Sequence, residues 1–282
     1  MLSRKKTVGL SVLLLMLVYA LYFVSRVPSQ DGDWKVSYQV LPEVRVSGDI
    51  LSVRHVRDFR YDGSGAVVEA RYLDKKYMLS ELKNVWFGIS HFGAYGLAHA
   101  FASFEFANGE FLVVSMEARL RQDQTRYGPV DGAFRNYTKF IVLATEQDVI
   151  GLRSHIRKEP VYLYRLNGSM LQGRALLLNY MRHAETLTAH PEFYNTLTDN
   201  CLTGLLAESG RYEAMHHWLD YRILLPGYSD ELLLEKGFIG DVAVRREADD
   251  VMSYMTSLRE QSRIDPASTS LEDEAFSLKI RH

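Results

Sequence analysis

A single cysteine, Cys201, stands among 282 residues. No internal disulfide can brace this fold, and no cysteine-rich cluster can hold a metal. The sequence has no H-E-x-x-H pair of histidines and no G-x-S-x-G elbow, which removes the common zinc-hydrolase and serine-hydrolase signatures. Gly88, Gly93 and Gly96 lack the spacing of a phosphate-binding loop. Neither a metal nor a cofactor is therefore expected. There is no polybasic tract, and the net charge is −2. Binding nucleic acid needs a clustered basic face, so nucleic acid is not an expected partner. No internal repeat is visible.

What is present is the composition of a globular protein with a sizeable core, 47% hydrophobic and 24% charged. Val8 to Val24 carries no charge and is just long enough to span a bilayer. Arg4, Lys5 and Lys6 precede it, while Asp31 and Asp33 follow with only Arg26 nearby. The excess of positive charge before the span predicts a cytoplasmic N-terminus, with the remainder outside. A cleaved signal peptide is the competing reading, but the run exceeds a usual signal core and no A-x-A site follows it. The predicted organisation is an anchor over 1–27, a linker over 28–48, a main domain over 49–240, and a helix with a loose polar tail over 241–282. The expected location is a single pass in the inner membrane, with the bilayer itself as a partner.

Within the main domain, residues 51–61 and 67–78 read as strands around the turn Asp62-Gly63-Ser64-Gly65. Val85 to Ile89 is a buried strand. His99 to Phe106 and Phe111 to Ala118 flank Asn108-Gly109, a strong hairpin signal. A three-residue loop with Gly109 left-handed pairs His99 with Glu117 and sets Ser103 and Ser115 on their face. A two-residue turn would put His99 and Glu117 on opposite faces. The first register segregates the polar residues and is preferred. Residues 119–136 read as a surface loop, 137–144 and 160–166 as strands, and 146–157 as a short helix. Ser169 caps a helix over 170–188. A charged amphipathic helix is expected over 241–263.

The chemistry centres on Tyr194 to Leu206. Asp199 and Asn200 are good caps, so Cys201 falls in the first turn of a helix, where free N–H groups and the dipole favour a thiolate. The alternative is a buried, inert cysteine. A thiol nucleophile needs a base and the base an orienting group. Of nine histidines, His99 is the best placed, at a strand start after a small-residue loop. His216 and His217 sit about four turns along the cysteine helix, beyond reach. Glu117 would orient His99, with Ser115 as a weaker alternative; Glu117 could instead pair with Arg119 or Arg121. The Cys201 N–H would hold an oxyanion, with Asn200 or Tyr194 as side-chain donors and Arg119 as a further substrate contact.

Taken together, several ordered segments resemble the Lnb N-terminal periplasmic domain family, within the permuted papain-like enzymes. They are Val53 to Tyr61, His99 to Phe106, Val114 to Arg119, Val161 to Leu166, Tyr194 to Cys201, and Leu225-Pro226-Gly227-Tyr228. The resemblance covers roughly residues 50–240. It implies an α+β fold, a permuted papain-like domain with a central antiparallel sheet packed against helices, and a Cys201–His99 centre. In the family's namesake the activity is lipoprotein N-acylation, which implies a phospholipid acyl donor and a lipoprotein N-terminal amine as partners. A cysteine amidase or peptidase on peptidoglycan peptides, or a non-catalytic envelope scaffold, are the alternatives.

Overall fold

The computed structural model describes residues 4–94, 96–210, 220–247 and 250–281. Helix α1, Arg4–Ser25, contains an 18-residue window of mean hydropathy 2.3, none of it buried in the protein. It is long and apolar enough to cross a membrane. The following residues are not a free tether. Trp34 is buried, and β1 (Glu43–Ser47) pairs antiparallel with β2 (Ile50–Arg57). The stretch 28–48 therefore packs as part of the domain, because Trp34 and Val44 give it apolar surface to bury.

The domain is a mixed α+β structure around an eight-stranded, mostly antiparallel sheet. The remaining strands of that sheet are β5 (Tyr72–Met78), β6 (Leu82–His91), β7 (Ala98–Phe106), β8 (Phe111–Arg119), β9 (Thr138–Ala144) and β10 (Val161–Arg165). The order is β1-β2-β9-β8-β7-β6-β10, with β5 also on β2. A two-stranded ribbon, β3 (Arg60–Tyr61) with β4 (Val67–Glu69), interrupts what the sequence suggested were two longer strands.

β7 and β8 lie at the centre and are covered on both faces. Ala98, Ala100, Ala102, Phe104, Val114 and Met116 face α3 (Met170–Ala189) and α4 (Cys201–Glu208). The alanines leave space for α4 to lie close, and a Cβ at Gly204 would meet the Met116 sulfur at 2.4 Å. Phe101 and Val113 face the other way, towards Phe140, Val149 and Ile150. Alternation along a strand sets His99, Ser115 and Glu117 on this second face.

The hairpin loop is the three-residue form. Phe106 N–H donates to Glu110 O, Gly109 has φ +84°, and Asn108 Oδ1 accepts from Glu110 N–H. The register runs from Glu105↔Phe111 to Ala102↔Val114, and its continuation sets His99 opposite Glu117.

Other elements depart from expectation. Within the stretch expected to be a surface loop, Pro129–Ala133 forms a short helix, α2. Residues Gln147–Ile156 form a π-helix. The cysteine helix ends at Glu208, with Gly210 left-handed after it; His216 and His217 lie outside the described residues. The helix expected over 241–263 is two helices, Val242–Glu247 and Val251–Ser262, with Asp250 capping the second. The C-terminal tail is docked, not loose: Ile264, Phe276 and Ile280 are buried on the second face, and Arg281 pairs with Glu146.

Candidate active site

Cys201 opens α4 because Asn200 caps it. The Asn200 Oδ1 accepts from the N–H groups of Leu202 and Thr203, and Thr203 Oγ1 accepts from Asn200 N–H, a reciprocal capping box. Asn200 Nδ2 donates to Thr196 O. This buried amide holds the helix start with its oxygen and one of its two N–H donors, and it lines the cavity.

The Cys201 side chain is 4% exposed and sits against β7, where the Ala100 N–H donates to its sulfur at 3.4 Å. Burial pushes the thiol up. The N–H groups of Ala100 and Leu202 and the Tyr194 hydroxyl pull the other way without overcoming it. The helix start thus favours a thiolate as expected, but desolvation outweighs it. Tyr194 is 6% exposed and lies beside Cys201, its ring edge-on to Tyr127 with centroids 5.8 Å apart.

His99 belongs to the residue pair next along β7. Its Nε2 lies 2.7 Å from Ser115 Oγ, and Ser115 donates to Glu117 Oε1 at 3.0 Å. Ser115 has one proton and gives it to Glu117, so it accepts from His99 Nε2–H. That tautomer leaves Nδ1 as the basic nitrogen. The direct His99 Nε2 to Glu117 Oε1 separation is 3.7 Å, too long for a good hydrogen bond. Ser115 is thus the direct orienting contact and Glu117 acts through it, the reverse of the ranking read from the sequence.

Burial and the Arg153 charge lower the His99 pKa to about 3, against an opposing pull from Glu117. The ring is neutral at neutral pH, yet its side chain remains 14% exposed. Burial raises Glu117, but Arg153 foremost, with His99, Arg57 and Ser115, outweighs it and holds the carboxyl at about 2. The Glu117 partner is Arg153, 3.4 Å away on the π-helix, rather than Arg119 or Arg121.

Arg119 is elsewhere. It donates to the carbonyls of Gln30, Tyr38 and Gln39 and lies 4.4 Å over the Trp34 ring. It clamps the segment after α1 onto the sheet and does not line the cavity.

That cavity, about 850 Å³, is lined by Cys201, His99, Glu117, Arg153, Tyr194 and Asn200 among others. Its size is that of a small-molecule site. Cys201 and His99 reach it from the two faces of the sheet, beside the end of the β7–β8 pairing. A smaller cavity, about 80 Å³, between β6, α3 and α4 has no titratable side chain in its wall. Among the described residues, no cluster of three or more histidine, cysteine, aspartate or glutamate side chains could hold a metal.

A family model, the Lnb N-terminal periplasmic domain, matches residues 69–226, more than half of the chain. The chain belongs to the Lnb N-terminal periplasmic domain family. No curated protein and no solved structure matches it. Family membership and the apolar α1 fit a single-pass, envelope-related protein with a periplasmic domain.

Of the segments noted in the sequence, those holding Arg57 and Tyr61, His99, Met116 to Ala118, Tyr194 to Cys201, and Pro226 reach the cavity wall, while Val161 to Leu166 does not. Arg57 forms a bidentate pair with Asp148 at 2.8 and 3.0 Å, and Asp148 also accepts from Phe59 N–H and Tyr61 Oη. This anchors the π-helix that carries Arg153. The Pro226-Gly227-Tyr228 turn clasps the loop before His99: Gly227 N–H donates to Gly96 O, and a Cβ at Gly227 would meet Gly96 Cα at 2.8 Å. Arg153 was not singled out from the sequence. Its only signal was a cation amid Val149, Ile150 and Leu152, and nothing local tied it to Glu117.

Proposed function

We propose that this protein is a cysteine-dependent acyltransferase or acyl hydrolase of the cell envelope, built as a permuted papain-like domain and held at the inner membrane with its N-terminus in the cytoplasm. The observation that carries the reading is the shared cavity: Cys201 at a helix start and His99, relayed through Ser115 to Glu117, open on the same space. The step requires His99, which shares the cavity with Cys201 from the other face of the sheet, to bring Nδ1 within reach of the sulfur, where it takes the thiol proton as the sulfur attacks an ester carbonyl carbon. The ester C–O bond breaks, the departing alkoxide takes that proton back from His99, and a Cys201 thioester remains. An amine, such as a lipoprotein N-terminus, or water then attacks the thioester and frees the thiol. The neutral resting pair makes the proton transfer part of the reaction rather than a pre-formed ion pair.

Five cationic side chains line the cavity (Lys35, Arg57, Arg126, Arg153 and Arg157) against two carboxylates, Glu117 and Glu159. That balance suits a donor with an anionic head, such as a phospholipid. The same arginines favour a second reading, an amidase or peptidase on peptidoglycan peptides, because guanidinium groups also hold peptide carboxylates. The test is to incubate the full chain with defined phospholipid, and separately with stem peptide, and to seek an adduct on Cys201 by mass spectrometry. A phospholipid acyl thioester that is absent from Cys201→Ser supports the first reading. A peptidyl adduct supports the second. No adduct with either would leave an envelope scaffold with a buried core cysteine.

A further inference from the structure

We propose that the segment around the short helix Pro129–Ala133 is a membrane-contacting wedge, which seats the rim of the Cys201 cavity at the bilayer surface. The argument begins with α1. Its apolar window is 18 residues; at 1.5 Å per residue this spans about 27 Å, close to the thickness of the hydrocarbon layer. The whole window is needed to cross, so Tyr19, Tyr22 and Phe23 lie within the outer part of the membrane.

The domain touches those same residues. Phe134 meets Tyr19 edge-on at 5.5 Å, Tyr22 Oη donates to Asn136 Oδ1 at 3.0 Å, and the Arg135 guanidinium lies 3.7 Å over Phe23 while donating to its carbonyl. Tyr19 is six residues before Ser25, about 9 Å along the helix axis. A segment in contact with Tyr19 therefore sits below the membrane surface by about the depth of an interfacial helix.

The chain after α1 allows no retreat. Ser29 O accepts from Thr138 Oγ1 on β9, and Gln30 Nε2 donates to Leu187 O on α3. Only three residues, Arg26, Val27 and Pro28, lie between Ser25 and Ser29, so four chain steps reach at most about 14 Å.

The surface presented there has the matching chemistry. Val130 is 70% exposed, Leu197 51% and Phe134 39%. Leu197 belongs with the wedge because Thr196 donates to Pro129 O. Arg26 and Arg135 flank the apolar tip and suit lipid phosphates. Asp131 on the same turn limits entry to the headgroup layer. The other side of the segment, Tyr127, Gly128 and Pro129, lines the Cys201 cavity. A lipid at the surface thus lies beside the cavity rim.

The proposal concerns placement, not thiol chemistry, and its test is independent of any activity. In the full chain carrying Cys201→Ser, Val130→Cys or Leu197→Cys is labelled with an environment-sensitive nitrobenzoxadiazole probe and reconstituted into phosphatidylcholine/phosphatidylglycerol vesicles. The reference is Leu171→Cys, 77% exposed at the far end of α3. The expected result is blue-shifted emission at 130 and 197, quenched more by a nitroxide near the lipid headgroup than by one near the chain end, with the probe at 171 unaffected. Emission at 130 and 197 that matches 171, or stronger quenching by the deep nitroxide, would overturn it.

Discussion

Ser115→Ala removes one oxygen from the centre of the site and little volume. In the wild type, the Ser115 hydroxyl bridges His99 Nε2 and Glu117 Oε1 at 2.7 and 3.0 Å. Without it, the two groups face each other at 3.7 Å. The Nε2–H then has no acceptor in a largely desolvated site, which costs about 1–3 kcal/mol. If that loss falls on the geometry needed for proton transfer, the rate of Cys201 acylation by an activated ester drops roughly 5- to 150-fold. The wild-type and variant proteins are compared by that rate, by iodoacetamide alkylation of the thiol across pH, and by thermal melting. Glu117→Gln alone and combined with Ser115→Ala completes a double-mutant cycle. A relay predicts strong non-additivity, because either change disables the same path. Wild-type rate and stability for Ser115→Ala, or effects that simply multiply, would refute the relay.

Two further outcomes follow from the same geometry. His99 binds a proton near 6.5 when unfolded and only at about 3 when folded, so the unfolded chain takes up more protons between those values. Stability is fully present above pH 6.5 and is lost as pH falls through that window. Glu117, at about 2 folded against 4.5, adds a loss only below about 4.5. His91 and His155 are also lowered by burial, so the check is a difference: His99→Gln should flatten the decline in melting temperature between pH 6.5 and 4.5 relative to wild type. Asn200→Ala should cost about 1–2 kcal/mol in urea unfolding through loss of the α4 cap, and Asn200→Ser should recover most of it. If Asn200→Ser keeps stability and yet loses all acylation, the amide has a role beyond capping.

The sequence by itself determined those features that rest on short-range rules. An uncharged run of spanning length gives α1. Asn108-Gly109 marked the hairpin turn, and the segregation of polar residues to one face chose the three-residue register, because a one-residue slip would put His99 and Glu117 on opposite faces. Ser169 and Asn200 marked their helix starts through side chains that reach the first free N–H groups. The candidate pair Cys201 and His99 was legible for the same reason: one stands at a cap, the other at a strand start.

The tertiary structure alone decided how those residues interact. Ser115 stands between His99 and Glu117, a matter of side-chain direction across two strands. Arg153 reaches Glu117 from a π-helix, whose altered winding no heptad or strand pattern announces. Arg119, adjacent to the site in sequence, turns to clamp Gln30, Tyr38 and Gln39 because the buried carbonyls there need donors. Burial, which depends on every neighbour at once, sets the thiol and imidazole neutral where the local helix start pointed to a thiolate.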